Sequence, residues 1–333
     1  MSVGPSPTSG SSSAPPPASQ SFSVSALLAQ TRTAPRFLTH SDLDALFHLP
    51  SDERDGLPQG RSLHLTGPPG SGKSHVCAAL ALHAPIDVPG MQVLIIDSSE
   101  GTLGPRELLR LARQRFPSSE LSISLKSIHR MRLTSQQEFL ALVYGGLRSW
   151  LQAHPEVRLI IIDSLSAFLR SSSFINTELI RANPTSGLGL SQQSSATSQR
   201  QAPSSSSASA SRVSGQSNGF RVLESKFTQR DNALSDWRDL MMKITSGPQP
   251  CTVVFTSQMQ TSIPKGSGNA TLVSQIAQRW FPSKTYSVVL RQEDKGTSRE
   301  RQAWLQSSPH QHHLYPEVTF DIDVTDLFLK TFL

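Results

Sequence analysis

The octapeptide GPPGSGKS at residues 67–74 constrains this chain more than any other stretch. It satisfies GxxxxGK[ST] at every fixed position and stands between an apolar segment, SLHLT (62–66), and a helical run reaching about Leu82. Glycines let backbone N–H groups close round phosphate oxygens, and a helix N-terminus adds partial positive charge. Gly67, Pro68, Pro69, Gly70, Ser71, Gly72, Lys73 and Ser74 are therefore the expected nucleotide cradle. Lys73 is expected to reach the β- and γ-phosphates and Ser74 to ligate Mg2+.

Strand and helix patterns alternate after this loop. QVLIID (92–97) reads as a second strand, and GPRELLRLARQRF as a helix with Leu108, Leu111, Ala112 and Phe116 on one face. Residues 136–152 set Phe139, Leu142, Val143, Leu147, Trp150 and Leu151 at helical spacing, and Phe139, Trp150 and Trp237 are expected in the core. RLIIID (158–163) is a third strand. Leu223, Phe227, Leu234, Trp237, Met241 and Ile244 mark another helix, and TVVFTS (252–257) a fourth strand. Short strands follow in YSVVL, QAWLQ and EVTFDI. The pattern predicts an α/β fold: a mostly parallel central sheet, helices on both faces, and an antiparallel C-terminal extension.

Two stretches fall outside it. Residues 1–21 are rich in Ser, Pro and Gly, and about 172–219 hold SQQSSATSQRQAPSSSSASASRVSGQSNG. Neither carries enough apolar surface to offset the entropy of ordering, so both are expected to be disordered. The expected organisation is one domain over 22–333 interrupted by the serine-rich insertion. Growing a loop from roughly 12 to roughly 50 residues adds only about 1.2 kcal/mol of closure entropy.

Asp163 ends a long apolar strand, as a ligand to a Mg2+-bound water should, with a strand-end aspartate capping a turn as its plain alternative. Many nucleotide hydrolases place an acid directly after this aspartate, but here the next residue is Ser164. Ligands bind beyond the carboxyl ends of parallel strands, so the missing base is expected at a neighbouring strand end. LIIDSSEGTLGPREL supplies Glu100 there as the candidate general base, with a solvated loop acid as its plain alternative. The fourth strand ends in FTSQM and puts Gln258 at the same edge, as a γ-phosphate sensor or an ordinary polar residue.

The ordered set of phosphate loop, DSSEGT, LIIIDS and TSQ resembles the RecA-like recombinases, and most the eukaryotic paralogues acting in homologous recombination. FLTHSDLDALFHLPSDERDGLPQG matches the family's lead-in, and LIIIDSLSAF is similar to the short X-ray-repair cross-complementing type that lacks an N-terminal domain. The resemblance covers about 36–171 and 220–306. It implies a RecA-like P-loop core, ATP with Mg2+, nuclear location, and work on single-stranded DNA or a recombinase filament. By position, 67–74, Glu100, Asp163 and Gln258 take the family's roles.

The chain departs from the self-polymerising members. No Phe-x-x-Ala tetrapeptide occurs, and the loop after Gln258 has Lys265 as its only basic residue. A hetero-oligomeric accessory ATPase, with weak or partner-dependent hydrolysis, is therefore expected alongside other paralogues and the main recombinase. The competing readings are an ATP-stabilised scaffold without turnover and an unrelated P-loop enzyme such as a small-molecule kinase.

Remaining features are less specific. Arg106, Arg110, Arg113, Arg115, Lys126, Arg130 and Arg132 form a basic stripe, either tracking a phosphate backbone or lying on a solvated helix face and loop. The net charge of +6 permits a polyanionic partner without requiring one. Cys77 and Cys251 lack CxxC spacing, which argues for a reducing compartment and against a zinc site. HQHH (310–313) has no companion cluster at ligand spacing. No apolar run approaches the roughly 18 residues of a membrane span.

Overall fold

The computed structural model describes residues 34–47, 54–98, 103–169, 226–263, 271–292, 300–309, 318–322 and 329–330. The terminal stretch 1–21, the insertion 172–219, Glu100, Lys265 and HQHH lie outside the described residues.

A short ribbon of β1 (Arg36–Phe37) and β2 (Leu57–Pro58) precedes the core, with a 3-10 turn, Asp42–Phe47, between them. The core strands are β3 (Ser62–Gly67), β4 (Gln92–Ser98), β5 (Ile128–Leu133), β6 (Val157–Asp163), β7 (Thr252–Ser262), β8 (Thr271–Ser274) and β9 (Thr285–Gln292). β10 (Glu300–Ser307), β11 (Val318–Ile322) and β12 (Leu329–Lys330) follow. They form one sheet in the order β12-β11-β10-β9-β3-β7-β6-β4-β5, with β8 on the far half of β7. From β9 to β5 every pairing is parallel; from β9 to β12 every pairing is antiparallel. This is the expected α/β architecture, a RecA-like P-loop core with an antiparallel extension.

The strands bury both faces because alternate side chains feed two separate cores. Leu63, Leu65, Val93, Ile95, Leu159 and Ile161 pack with α1 (Lys73–Asp87), α2 (Pro105–Arg115) and α3 (Ser118–Lys126). Leu94, Ile96, Ile160, Ile162, Val253 and Phe255 face the other way, against Phe139, Leu147, Trp237 and Met241. These belong to α4 (Gln136–Ala141), α5 (Leu147–Ala153) and α7 (Lys226–Ser246), while a single turn, α6 (Leu165–Phe168), follows β6.

Three expectations are corrected. The helical spacing over 136–152 is two helices joined by a π turn, Leu142–Gly146. Ser135 and Glu138 open the first with a capping box, and the Gly145-Gly146 pair lets the backbone depart from α geometry. Trp150 is only partly buried; it stacks on His154 at 3.9 Å and meets His129 edge-on. The basic stripe also hides a helix, α3, and an edge strand, β5. An edge strand with half-exposed faces has no continuous apolar run to reveal it.

His64 lies in the middle of the parallel core, 1% exposed. Its Nε2 meets Ser257 Oγ of β7 at 2.7 Å and its Nδ1 meets Ser287 Oγ of β9 at 3.1 Å, so one ring ties three strands. Phe255 and Phe281 pack on the ring. Burial pushes its pKa down to about 3. The unfolded chain therefore binds a proton near pH 6.5 that the folded chain refuses until about 3, and stability falls as pH drops through that window. His64→Gln, which keeps hydrogen-bonding capacity without the charge, should lower proton uptake on unfolding at pH 5 by close to one, measured from the pH dependence of urea unfolding.

Candidate functional site

The parallel strands end along one edge, and the chemistry-bearing residues converge there. β3 runs into the loop at Gly67, whose neighbours leave no room for a side chain. A Cβ there would lie 2.4 Å from Leu290 O and 2.5 Å from Ser71 Oγ. Gly72 closes the loop in the left-handed region, φ 97°, directly before α1. No side chain caps α1, so its first N–H groups stay available to an anion.

Lys73 folds back into this loop. Its Nζ donates to Gly67 O at 2.8 Å and Pro68 O at 2.9 Å and reaches Ser71 Oγ at 3.5 Å. Burial lowers its pKa to about 8, against the opposing pull of the Asp163 carboxylate. The loop carbonyls thus hold the ammonium where an anionic ligand's oxygens compete for it.

Asp163 ends β6 and is 3% exposed. Ser74 Oγ donates to its Oδ2 at 2.7 Å and Thr256 Oγ1 donates to its Oδ1 at 2.6 Å. Both proposed metal-binding residues, Ser74 and Asp163, are therefore brought into direct contact. The Asp163–Ser164 peptide is cis. Ser164 N donates to Ser98 Oγ at 3.1 Å, and Ser166 Oγ accepts from Gln258 N at 3.0 Å. Gln258 itself is in register with Gly67 across β3 and β7.

Two residues were overlooked in the sequence. Asp97 pairs in register with Asp163 across β4 and β6 and is 2% exposed. Arg130 of β5 bonds and ion-pairs with Asp97 Oδ2, while Oδ1 is buried without a hydrogen-bond partner. Burial raises the Asp97 pKa and Arg130 works against that rise. The signal was present: Asp97 closes QVLIID just as Asp163 closes RLIIID. Thr256 was legible by period two, since it shares a face of β7 with Gln258. Glu100 follows β4 by two residues, outside the described residues.

Elsewhere, Arg106, Arg110 and Arg113 surround a shallow depression of about 380 Å³ on α2, where Arg110 also pairs with Glu107. Both cysteines are free and buried. Among the described residues no helix is long and apolar enough to cross a membrane.

The donor set fits a nucleotide with Mg2+: an uncapped helix start, an ammonium held in the loop, a hydroxyl on a carboxylate, and a second carboxylate with an orphaned oxygen. Thr256→Val keeps the volume but strips Asp163 Oδ1 of its buried donor. It should cost about 1–3 kcal/mol of stability in urea unfolding.

The profile of the AAA domain matches residues 31–184, just under half of the chain. The protein described as DNA repair protein RAD51 homolog 2, from Mus musculus, is 30% identical over 127 residues, which is 34% of this chain and 35% of that protein. The chain thus matches about a third of that relative's length. The sheet order and the loop are those of a RecA-like P-loop core, and the two similarities, each over less than half of the chain, agree with that fold.

Proposed function

We propose that this chain is an ATP-binding DNA-repair protein of the recombinase-paralogue type, one RecA-like unit over 22–333 of the short X-ray-repair cross-complementing kind. It assists homologous recombination at double-strand breaks in the nucleus. It does so within a hetero-oligomer with other paralogues, loading or stabilising the main recombinase on single-stranded DNA. ATP hydrolysis is weak or partner-dependent. The observation that carries this reading is the convergence of Lys73, Ser74 and Asp163 at the open edge of the parallel sheet. The similarity to the mouse DNA repair protein supports its biological side.

In this reading, backbone N–H groups of 67–74 hold the β- and γ-phosphates, and Lys73 leaves its loop carbonyls to meet them. Ser74 Oγ and Asp163 would hold Mg2+, which would supply positive charge against that of the phosphates. Thr256 keeps Asp163 oriented. Glu100 is the proposed base that orients a water, and Gln258 the proposed sensor whose backbone continues into the β7–β8 ribbon.

Calorimetry should show ATP·Mg2+ binding by the purified chain or its hetero-oligomer, lost in Lys73→Ala; no affinity in either preparation overturns the reading. Glu100→Gln should leave binding intact and abolish turnover. If a repair assay in cells is impaired by Lys73→Ala but not by Glu100→Gln, the scaffold role replaces the ATPase role. Affinity also depends on pH with a definite sign. Bound phosphates stabilise charged Lys73, whose free pKa is about 8, so the dissociation constant should rise by up to about tenfold per pH unit above that value.

A further inference from the structure

The far end of α1 carries a second cluster. His83 and Asp87 lie one turn apart on the helix, about 15–20 Å along it from Lys73. His40 reaches them from the segment between β1 and the 3-10 turn. One ring nitrogen from each histidine and one carboxylate oxygen lie within 4.8 Å of one another. His40 Nε2 sits 3.1 and 3.0 Å from the two Asp87 oxygens. The His40 and His83 rings are 4.2 Å apart, and Phe116 walls the other side of His83 edge-on at 4.9 Å.

Two observations single this cluster out from a chance group of surface side chains. His83 is 5% exposed, and its Nε2 is buried with no hydrogen-bond partner. A buried polar atom in that state costs free energy unless something meets it. His40 is also the one non-glycine described residue with positive φ, at 55°. Asp44 locks that conformation by accepting from Thr39 N at 2.8 Å, from Thr39 Oγ1 at 2.9 Å and from Ser41 N at 3.4 Å. A side chain fixed on a disfavoured backbone beside an unsatisfied imidazole is the arrangement of a preorganised ligand set.

We propose that His40, His83 and Asp87 bind one divalent transition ion of the zinc class, with water in the open fourth position. Two imidazoles and a carboxylate suit Zn2+ rather than Mg2+ or Ca2+, which prefer all-oxygen shells. A tetrahedral ion with bonds of about 2.0–2.1 Å sets its ligands about 3.3 Å apart, so the exposed His40 and Asp87 need to close on His83 by about 1.5 Å at most. Burial, with His40 and Arg115 adding to it, lowers the His83 pKa to about 3, so its lone pair is free at neutral pH. The ion would staple the lead-in segment to the end of the phosphate-loop helix. It is distinct from the nucleotide site at the other end of that helix.

The test uses the full chain, stripped of metal, with His310, His312 and His313 replaced by Ala so that HQHH cannot contribute. Co2+ titrations, followed by d–d absorption, and Zn2+ calorimetry should show one equivalent. His40→Ala and Asp87→Asn should each weaken binding at least tenfold, and Zn2+ should raise the melting temperature of the parent but not of His40→Ala. His40 is exposed, so its replacement leaves the fold intact, checked by circular dichroism and unchanged ATP affinity. Absence of binding in the HQHH-free chain, or affinity unaltered by His40→Ala, overturns the proposal.

Discussion

One carboxylate ties the phosphate-loop helix to two strands of the sheet. Asp163 Oδ2 takes the hydroxyl of Ser74 from α1, and its Oδ1 takes the hydroxyl of Thr256 from β7. A carboxylate at 3% exposure is expensive to leave unpaired, so these two donors are a condition of its being there. Their geometry also fixes where α1 starts relative to β6. The loop that runs from β3 into α1 inherits that position, and Lys73 folds back onto its carbonyls. The order of the edge follows from a single buried acid.

The body of the sheet uses the opposite strategy, polar groups kept neutral. His64 bridges Ser257 and Ser287, and Ser257 extends the chain of hydroxyls to Thr66 at 3.3 Å and Ser274 at 3.1 Å. Thr66 and Ser257 are the residues just before Gly67 and Gln258, so this network underlies the loop and the candidate sensor together. Satisfied networks of this kind rigidify a core and specify its register. Here they join β3, β7 and β9 directly beneath the loop.

Much of this was legible because its signals are local. The phosphate loop is eight consecutive residues, and Asp163 and Gln258 stand at the ends of apolar runs that only a buried strand explains. β5 was missed because its Ile, His, Arg and Met side chains are half-exposed on an edge, where charge is tolerated. Asp97 ends its strand as Asp163 does, but Glu100 three residues later offers a second carboxyl beyond the same strand end. The pairing of Asp97 with Arg130, like that of His40 with Asp87, joins residues 33 and 47 apart, and no spacing rule reaches that far. The π turn at Gly145-Gly146 kept the helical spacing while changing the backbone beneath it.

β7 is the longest strand of the sheet at 11 residues, and it changes neighbour at one point. Through Gln258 it is held parallel to β3; from Met259 to Ser262 it is held antiparallel to β8 instead. The outer part is a cantilever rooted beside Gly67, and its described tip carries the exposed Ile263, Leu272 and Val273. Four strand residues span about 13 Å, so a tilt of about 10° at the root displaces the tip by about 2 Å. Mechanical gain of that kind comes from strand length alone.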